Sequence, residues 1–320
     1  MGGDRVDEGV MRDALAAAGY VADSAPLRPE FRRWRWVAPL RGDRIAFFAD
    51  APEAVERLGR ERAILDLIGP RIIQFAIPSV EHASPDGRLQ VRSMVKGVEA
   101  TACFGGYECQ RLLDASPAGR RLARELGHAL AELHGSVTHA EAEAVGVPVG
   151  EPLPQAIADL HRRLVGCLPD PALAPALDAV LERCVALGEE EAGRVLIHGD
   201  PCAANLVIDP ESGRLVGMFD FEYAAWADRH DDFYALHSFG DVFTERALAA
   251  YAAASGVRPS LRRAAAYHVY AAFYALAEAL TAGDPGKVAK QLGWVHGALA
   301  GSPGRLLGLP APGAKTRPSG

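Results

Sequence analysis

Cysteine and long apolar runs are both scarce in this sequence. Its five cysteines are an odd number and include no Cys-x-x-Cys pair, which argues against a zinc site and a disulfide framework. The charge-free apolar run in the C-terminal region, Ala264 to Ala277, has only 14 residues, fewer than the roughly 20 that span a membrane. The first residues are charged and lack the apolar segment of a secretory signal. We therefore expect a cytoplasmic protein with no membrane partner.

Net positive charge is missing as well. The 320 residues carry a formal charge of −7, so we expect no nucleic-acid partner, because phosphate backbones attract basic surfaces. Residues 1–96 contain 14 acidic and 15 basic side chains, and the remainder contains 27 and 19. A cationic small molecule would therefore bind in the second part.

What the sequence does contain divides at about residue 96, and its length favours two domains. Residues 1–96 alternate short apolar runs with turn signals and include one helix, predicted over 51–68. The strand-like runs are 35–40, 44–49, 71–77 and 89–95. Residues 97–301 are mostly helical apart from a β-rich segment, 195–222, and the Pro- and Gly-rich residues 302–320 predict a flexible tail.

The β-rich segment carries the chemistry. An apolar run leads into the motif HGD, and two further runs flank the turn PESG, which predicts an antiparallel hairpin. Pairing about that turn sets Asn205 opposite Met218, with Asp220 two residues farther on and Asp200 at the same end. Two carboxylates and an amide are hard oxygen donors, which Mg²⁺ takes together with substrate phosphates. Phosphoryl transfer needs such a set, with a carboxylate to orient the acceptor hydroxyl.

In this order, His-x-Asp-x(4)-Asn, a hairpin and then Asp-Phe-Glu, the segment resembles the aminoglycoside phosphotransferase family, relatives of choline kinases and protein kinases. The resemblance covers about 30–300 and is most specific in 195–235. It implies an α+β, protein kinase-like two-lobe fold. The small β-rich N-lobe with one helix, 1–96, would bind nucleotide against a larger, mostly helical C-lobe, 97–301.

The same resemblance implies roles for individual residues. Asp200 would be the catalytic carboxylate, and Asn205 and Asp220 would be the Mg²⁺ ligands. His198 would brace the catalytic loop through hydrogen bonds, and Asp232 would anchor that loop rather than react.

The phosphate-binding cation is the part of the family pattern that the sequence lacks. Glu61 falls in the apolar stripe of the predicted helix, where an unpaired carboxylate is costly, and the family pairs such a glutamate with a lysine on the third strand. No lysine precedes Lys96, and phenylalanines stand where it is expected. Arg44 is the nearest cation and is predicted to reach Glu61 and the phosphates, with Arg32 or Arg33 as alternatives. A surface role for Arg44 is the other interpretation, and no glycine-rich loop is present.

Residues 89–97 resemble the strand and hinge that hold the purine of the co-substrate, ATP or GTP. The Ser93 carbonyl and the Val95 amide would bond the purine edge, and Met94 would pack nearby. An ordinary edge strand leaving the lobe is the alternative interpretation.

The acceptor implied is a hydroxylated small molecule, most simply an aminoglycoside or another antibiotic. Asp231, Asp241 and Glu245 follow the metal aspartate and are candidates to bind ammonium groups. A helix N-terminus rich in acids, which the helix dipole favours, is the alternative. Neutral acceptors such as macrolides, nucleoside antibiotics and sugars also occur in such families.

Two other functions compete with the kinase interpretation. A metal-dependent phosphohydrolase would use the cluster of His198, His230 and His237 with the neighbouring aspartates, since such sites favour histidine ligands. A degenerate, non-catalytic nucleotide-binding kinase homologue would explain the missing lysine. Joint retention of Asp200, Asn205 and Asp220 argues against it.

Overall fold

The N-terminal third forms a five-stranded antiparallel sheet with one helix on each face. A computed structural model of the chain describes residues 8–20, 27–103, 116–188 and 193–309. The strands, in the spatial order β1-β2-β3-β5-β4, are β1 (Glu30–Arg32), β2 (Arg35–Leu40), β3 (Arg44–Phe48), β4 (Val80–Ala83) and β5 (Leu89–Ser93). The helices are α1 (Glu8–Ala17) and α2 (Pro52–Ile68).

Alternation along the strands decides which helix each side chain meets. Ala38 and Phe48 pack with α1 residues, whereas Val37 and Phe47 pack with Leu58 of α2. Neighbouring residues of a strand point to opposite faces, so the sheet buries both faces although its strands are short. The α2 face is the one that faces the second lobe.

The strand predicted over 71–77 is not formed. Apart from a single bridge between Ala76 and Gly217, the segment is irregular. The backbone N–H groups of Ile73 and Gln74 donate to the Glu132 carboxylate, which satisfies them without a sheet partner. Apolar composition alone could not distinguish this irregular connection, in which only Ile72 and Phe75 are buried, from a strand.

The second lobe is mostly helical, with two small sheets set into it. Its helices are α3 (Ala100–Cys103), α4 (Pro117–Gly135), α5 (His139–Ala144), α6 (Leu153–Leu164), α7 (Ala174–Gly188), α8 (Asp241–Ser255), α9 (Leu261–Ala282), α10 (Pro285–Ala300) and α11 (Ser302–Leu307). Its strands are β6 (Val98–Glu99), β7 (Arg194–Ile197), β8 (Leu206–Ile208), β9 (Leu215–Met218) and β10 (Ala225–Asp228). Short 3₁₀ turns at 203–205, 221–223 and 231–238 link them.

The central helix α4 shows why this lobe folds as it does. Leucines recur on one face of the helix and are fully buried, and Ser116 caps its first turn by accepting from Gly119 N. The helix packs against α8 and β7, so one apolar stripe supports the strand that enters the catalytic loop. Within the described ranges, no helix combines the length and apolar character needed to cross a bilayer.

The predicted hairpin is formed, with its register one residue from the expected one. Leu206, not Asn205, lies opposite Met218, because the pairing shifts between Val207 and Ile208. Asn205 O still accepts from Phe219 N at 3.1 Å. The bulge therefore keeps Asn205 beside the residue that precedes Asp220.

The predicted flexible tail is wrong over its first part. Helix α11 occupies residues 302–307, and Pro303 and Leu307 are buried against the α9–α10 pair. Proline at the start of a helix and glycine just after its end are favourable positions, so composition misled here. Residues 310–320 lie outside the described residues.

Candidate active site

A buried carboxylate holds the loop that follows β7. Asp232 is fully buried and accepts from His198 N at 2.8 Å and from Gly199 N at 2.7 Å. His134 Nε2 lies 2.9 Å from the same carboxylate. Three donors around one carboxylate fix the start of the loop. This is the position expected for an anchor rather than a reacting group.

His198 connects this loop to the hairpin. Its Nε2 donates to Phe219 O at 3.0 Å, and its Nδ1 accepts from Asp200 N at 3.2 Å, an arrangement that places the ring proton on Nε2. The side chain is completely buried. His198 therefore braces Asp200 and the strand end before Asp220 at once.

Gly199 allows the loop to turn sharply between these two residues. Its φ of +83° lies in the left-handed region, and a Cβ there would lie 2.3 Å from Tyr223 O. Neither condition suits a side chain. The middle residue of the HGD motif is thus required by local geometry.

Asp200 lies at the centre of the hydrogen-bond network. Asn205 Nδ2 donates to Asp200 O at 2.8 Å and to Asp200 Oδ2 at 3.1 Å. Tyr234 Oη donates to Asp200 Oδ1 at 2.6 Å. Burial, and after it the negative charge of Asp200, raises the pKa of Tyr234 well above its usual value. The phenol therefore keeps its proton and remains a donor. The sequence analysis missed Tyr234, which lies two residues beyond Asp232.

Asp220 and Asn205, the two predicted metal ligands, each carry a hard oxygen donor. Asp220 is the residue before a 3₁₀ turn and has a φ of 66°, a conformation that Asp tolerates better than most residues. Its Oδ1 accepts from Arg35 Nη2 at 2.8 Å. In the described part of the chain, neither Asp220 Oδ2 nor Asn205 Oδ1 has a hydrogen-bond partner. These hard oxygen donors fit Mg²⁺.

Glu61 is paired, but not with the predicted cation. Its carboxylate lies 2.9 Å from Arg35 Nη1 and 2.7 Å from Arg92 Nη1, and all three side chains are buried. Burial alone would raise the pKa of Glu61, yet Arg92 and Arg35 outweigh it and lower that pKa. The prediction that Arg44 reaches Glu61 is wrong. Arg44 pairs instead with the partly exposed Glu81, at 2.5 Å, because residue 44 lies on the opposite face of its strand from Ile45 and Phe47.

The two alternative cations do not contact Glu61, although both line the cavity between the lobes. Arg32 pairs with Glu30 on the surface at 2.8 Å. Arg33 contacts Glu222 and the Tyr223 hydroxyl, while Trp34 Nε1 donates to Glu222 Oε2 at 2.9 Å. The β1–β2 turn is thus bonded across to the Asp-Phe-Glu segment, a contact that the sequence analysis did not anticipate.

A cavity of about 310 Å³ separates the lobes. Its lining includes Ser93, Val95 and Glu61 of the N-lobe and Asp220 of the C-lobe. Ser93 is fixed by Ser79, whose backbone O accepts from Ser93 N at 2.9 Å. Among the hydrogen bonds of the described residues, none uses Val95 N. The residue at the position predicted for the hinge thus lines the cavity and keeps its backbone donor unused among the described residues.

The three predicted acceptor-binding carboxylates do not form one cluster. Asp231 lies near Asp200. Its pKa is raised well above the usual value, mainly by burial and then by the negative charges of Asp232, Asp228 and Asp200. Asp241 and Glu245 are exposed on the first turns of α8. Neither shares a hydrogen bond or an ion pair with the described part of the catalytic loop.

The histidines named for a hydrolase do not converge. His230 Nδ1 pairs with Asp228 at 2.7 Å, and its Nε2 accepts from Ser260 N. His237 packs beside His268, with 5.4 Å between ring centroids. No group of three or more His, Cys, Asp or Glu side chains within residues 8–20, 27–103, 116–188 and 193–309 is arranged to hold a metal ion. The geometry gives the histidines structural partners rather than a shared ligand position.

The chain has a protein kinase-like fold. A small sheet lobe and a larger helical lobe enclose a cavity whose lining includes Glu61 and Asp220. Residues 26–273 match the phosphotransferase enzyme family APH, and the chain belongs to that family. A comparison with curated proteins finds no significant match.

Solved structures of similar fold cover nearly the whole chain. One is the GDP and kanamycin complex of APH(2″)-IIIa, with a TM-score of 0.71, 20% identity, and coverage of 89% of this chain and 99% of that one. Another is macrolide 2′-phosphotransferase type I, with a TM-score of 0.69, 22% identity and coverage of 92% and 98%. The streptomycin–ATP ternary complex of APH(2″)-IIa has a TM-score of 0.67, 16% identity and coverage of 92% and 99%.

Proposed function

We propose that this phosphotransferase moves the γ-phosphoryl group of ATP or GTP to a hydroxyl of a small molecule, an aminoglycoside or another hydroxylated antibiotic. The observation that carries the proposal is the pair of hydrogen bonds from Asn205 to Asp200, on the hairpin whose second strand leads to Asp220 in the lining of the interlobe cavity. Such an enzyme would confer antibiotic resistance.

The cavity supports a nucleotide co-substrate. Its volume of about 310 Å³ is within the range of small-molecule sites. The unpartnered Val95 N–H is a donor for a purine edge, as predicted for the hinge together with the Ser93 carbonyl. The solved structures of similar fold include complexes with GDP and with ATP, which is why both nucleotides are proposed.

Asn205 and Asp220 would hold the Mg²⁺ of the nucleotide, and the ion would supply charge neutralisation at the phosphates. Asp200 would orient the acceptor hydroxyl and take its proton at Oδ1 or Oδ2. Asn205 Nδ2 and the Tyr234 hydroxyl fix the plane of that carboxylate before the acceptor arrives. Preorganisation of this kind lowers the cost of reaching the reactive geometry.

Asp231 supports a cationic acceptor. Its buried carboxyl, beside three other carboxylates, would be stabilised by an ammonium group, since an opposite charge favours the ionised form. Asp241 and Glu245 remain proposed acceptor contacts at the exposed start of α8. Streptomycin and kanamycin occupy the similar structures.

The test is a screen of aminoglycosides and macrolides with the purified protein, Mg²⁺ and either ATP or GTP. Mass spectrometry of the acceptor should show a gain of one phosphate only when acceptor and nucleotide are both present. Release of phosphate from a phosphoester without nucleotide would instead favour a phosphohydrolase. Nucleotide binding without transfer to any acceptor would favour a non-catalytic homologue.

A further inference from the structure

Strand register places Arg35 and Arg92 on either side of Phe47, one of the phenylalanines that stand where a third-strand lysine is expected. Val37 pairs with Phe47, and Ile45 pairs with Arg92. Paired residues share a face of the sheet, and so do residues two apart on one strand. Arg35, Phe47 and Arg92 therefore lie on the face that meets Glu61.

Phe47 lies between the two guanidinium groups. The Arg35 guanidinium is 4.6 Å from the centroid of its ring, and the Arg92 guanidinium is 4.5 Å from it. Aromatic faces attract such cations at this distance. Phe47 of the third strand thus supports positive charge on both sides, while the one arginine of that strand, Arg44, lies on its other face.

The two arginines have different partners. Arg92 pairs with Glu61 Oε1 and donates to Gln90 Oε1 at 2.8 Å, and Gln90 in turn donates to Leu58 O. Every one of these partners belongs to the N-lobe. Arg92 therefore suffices to neutralise the buried Glu61.

Arg35 instead spans the two lobes. Its Nη1 pairs with Glu61 Oε2, and its Nη2 donates to Asp220 Oδ1 of the C-lobe at 2.8 Å. Its guanidinium lines the interlobe cavity and has further N–H groups without an acceptor among the described residues. Three carboxylates, Glu61, Asp220 and, at 3.8 Å, Glu222, surround Arg35, so its charge would become available to an anionic ligand once an ion occupies the Asp220 carboxylate.

We propose that Arg35, from the second strand, binds the nucleotide phosphates in place of a lysine on the third strand, while Arg92 serves as the internal counter-ion of Glu61. This inference rests on the proposed function. A guanidinium presents a planar fork of donors that matches phosphate oxygens. Its position beside Asp220 puts that fork where phosphates and their ion would meet.

The experiment compares Arg35→Met with wild type and with Arg44→Met, a matched control whose guanidinium pairs with Glu81 outside the cavity. Dissociation constants are measured for ATP and GTP with Mg²⁺ and for adenosine and guanosine. We expect Arg35→Met to weaken triphosphate binding about 10- to 100-fold, the size of a charge-assisted hydrogen bond. Nucleoside binding should stay the same, and Arg44→Met should change neither.

The outcomes separate this inference from the function on which it rests. A triphosphate-to-nucleoside affinity ratio that is unchanged in Arg35→Met would overturn the role of Arg35 alone. Wild-type protein that binds neither nucleotide would overturn the proposed function and this inference together.

A second variant provides the test if Arg35→Met does not fold. Arg35→Lys keeps the charge but not the fork, so its affinity ratio should fall by a smaller factor, about 3- to 10-fold. Arg92 also lines the cavity, but its guanidinium contacts only N-lobe groups, so Arg92→Lys should change the ratio less than Arg35→Lys does. Equal ratios in Arg35→Lys and wild type would contradict the proposal.

Discussion

The two sides of the interlobe cavity are built in opposite ways. On the C-lobe side, Asp200, Asn205 and Asp220 come from one hairpin and the loop before it. On the N-lobe side, Glu61 meets arginines from β2 and β5, which are separated from it in sequence and brought together by the sheet. Site residues that come from one short segment form a recognisable sequence motif. Site residues that strand pairing brings together from distant segments do not.

This difference also separates reaction from binding. The C-lobe groups are fixed by short hydrogen bonds to backbone atoms, as a reacting carboxylate requires. The N-lobe groups form a charge network that reaches across to Asp220. Variants on the two sides should therefore fail in different assays.

The largest effect is expected for Asp200→Asn. The amide cannot take a proton from the acceptor, so phosphoryl transfer should fall by about 10³-fold, or about 4 kcal/mol of barrier. Nucleotide affinity should be retained, because Asp200 does not line the cavity. Mass gain of the acceptor reports transfer, and thermal shift with ATP or GTP reports binding.

Asp209→Asn is the control for that variant, since Asp209 belongs to the same hairpin but accepts only from the turn residues Glu211 and Ser212. It should transfer phosphate at the wild-type rate. Equal rates in Asp200→Asn and Asp209→Asn would remove Asp200 from the reaction and break the contrast between the two sides.

The second effect tests whether the C-lobe side depends on its buried anchor. Asp232→Ala leaves two backbone N–H groups and His134 without their acceptor, so the free energy of unfolding should fall by about 3 to 5 kcal/mol. Urea unfolding followed by circular dichroism measures it. Asp178→Ala, in the same lobe but with a side chain 64% exposed, should change that free energy by less than about 1 kcal/mol.

Sequence alone was sufficient for the fold class and for the hairpin that follows the predicted catalytic loop. Their signals are an apolar run, a turn and a fixed order of polar residues, all within about 40 positions. The cations that pair with Glu61 could not be found in this way, because Arg44 is nearest in sequence to the expected position but lies on the wrong face. The alternation of side chains along the strand could have pointed to Arg35. Arg35 is two residues from Val37 and therefore lies on the same face of the sheet, and a buried Glu61 requires a cation.

The third effect tests the N-lobe network. Glu61→Gln removes the anion between Arg35 and Arg92, so the free energy of unfolding should fall by about 3 kcal/mol, as for one partner of a buried ion pair. Glu56→Gln, on the same helix in an exposed pair with Arg60, should change it by no more than about 0.5 kcal/mol. Similar losses in the two variants, again by urea unfolding, would mean that Glu61 is not a structural centre of this side.

The smallest expected effect is a difference in how the stability of the two sides depends on pH. Burial, with His268 next, lowers the pKa of His237 from 6.5 to about 3, and neither ring nitrogen has a hydrogen-bond partner in the described chain. The unfolded state therefore binds the proton first. The stability that the neutral ring contributes is complete above pH 6.5 and is lost as the pH falls from 6.5 toward 3.

His237→Leu should flatten this dependence. Between pH 7.5 and 5.5 the wild type should lose about 1 kcal/mol through His237, and the leucine variant should lose that much less in urea unfolding at the two pH values. Glu61→Gln should keep the wild-type slope, because the lowered pKa of Glu61 leaves it ionised throughout that range. A slope flattened by Glu61→Gln and unchanged by His237→Leu would place the acid sensitivity in the N-lobe network, opposite to what these two environments predict.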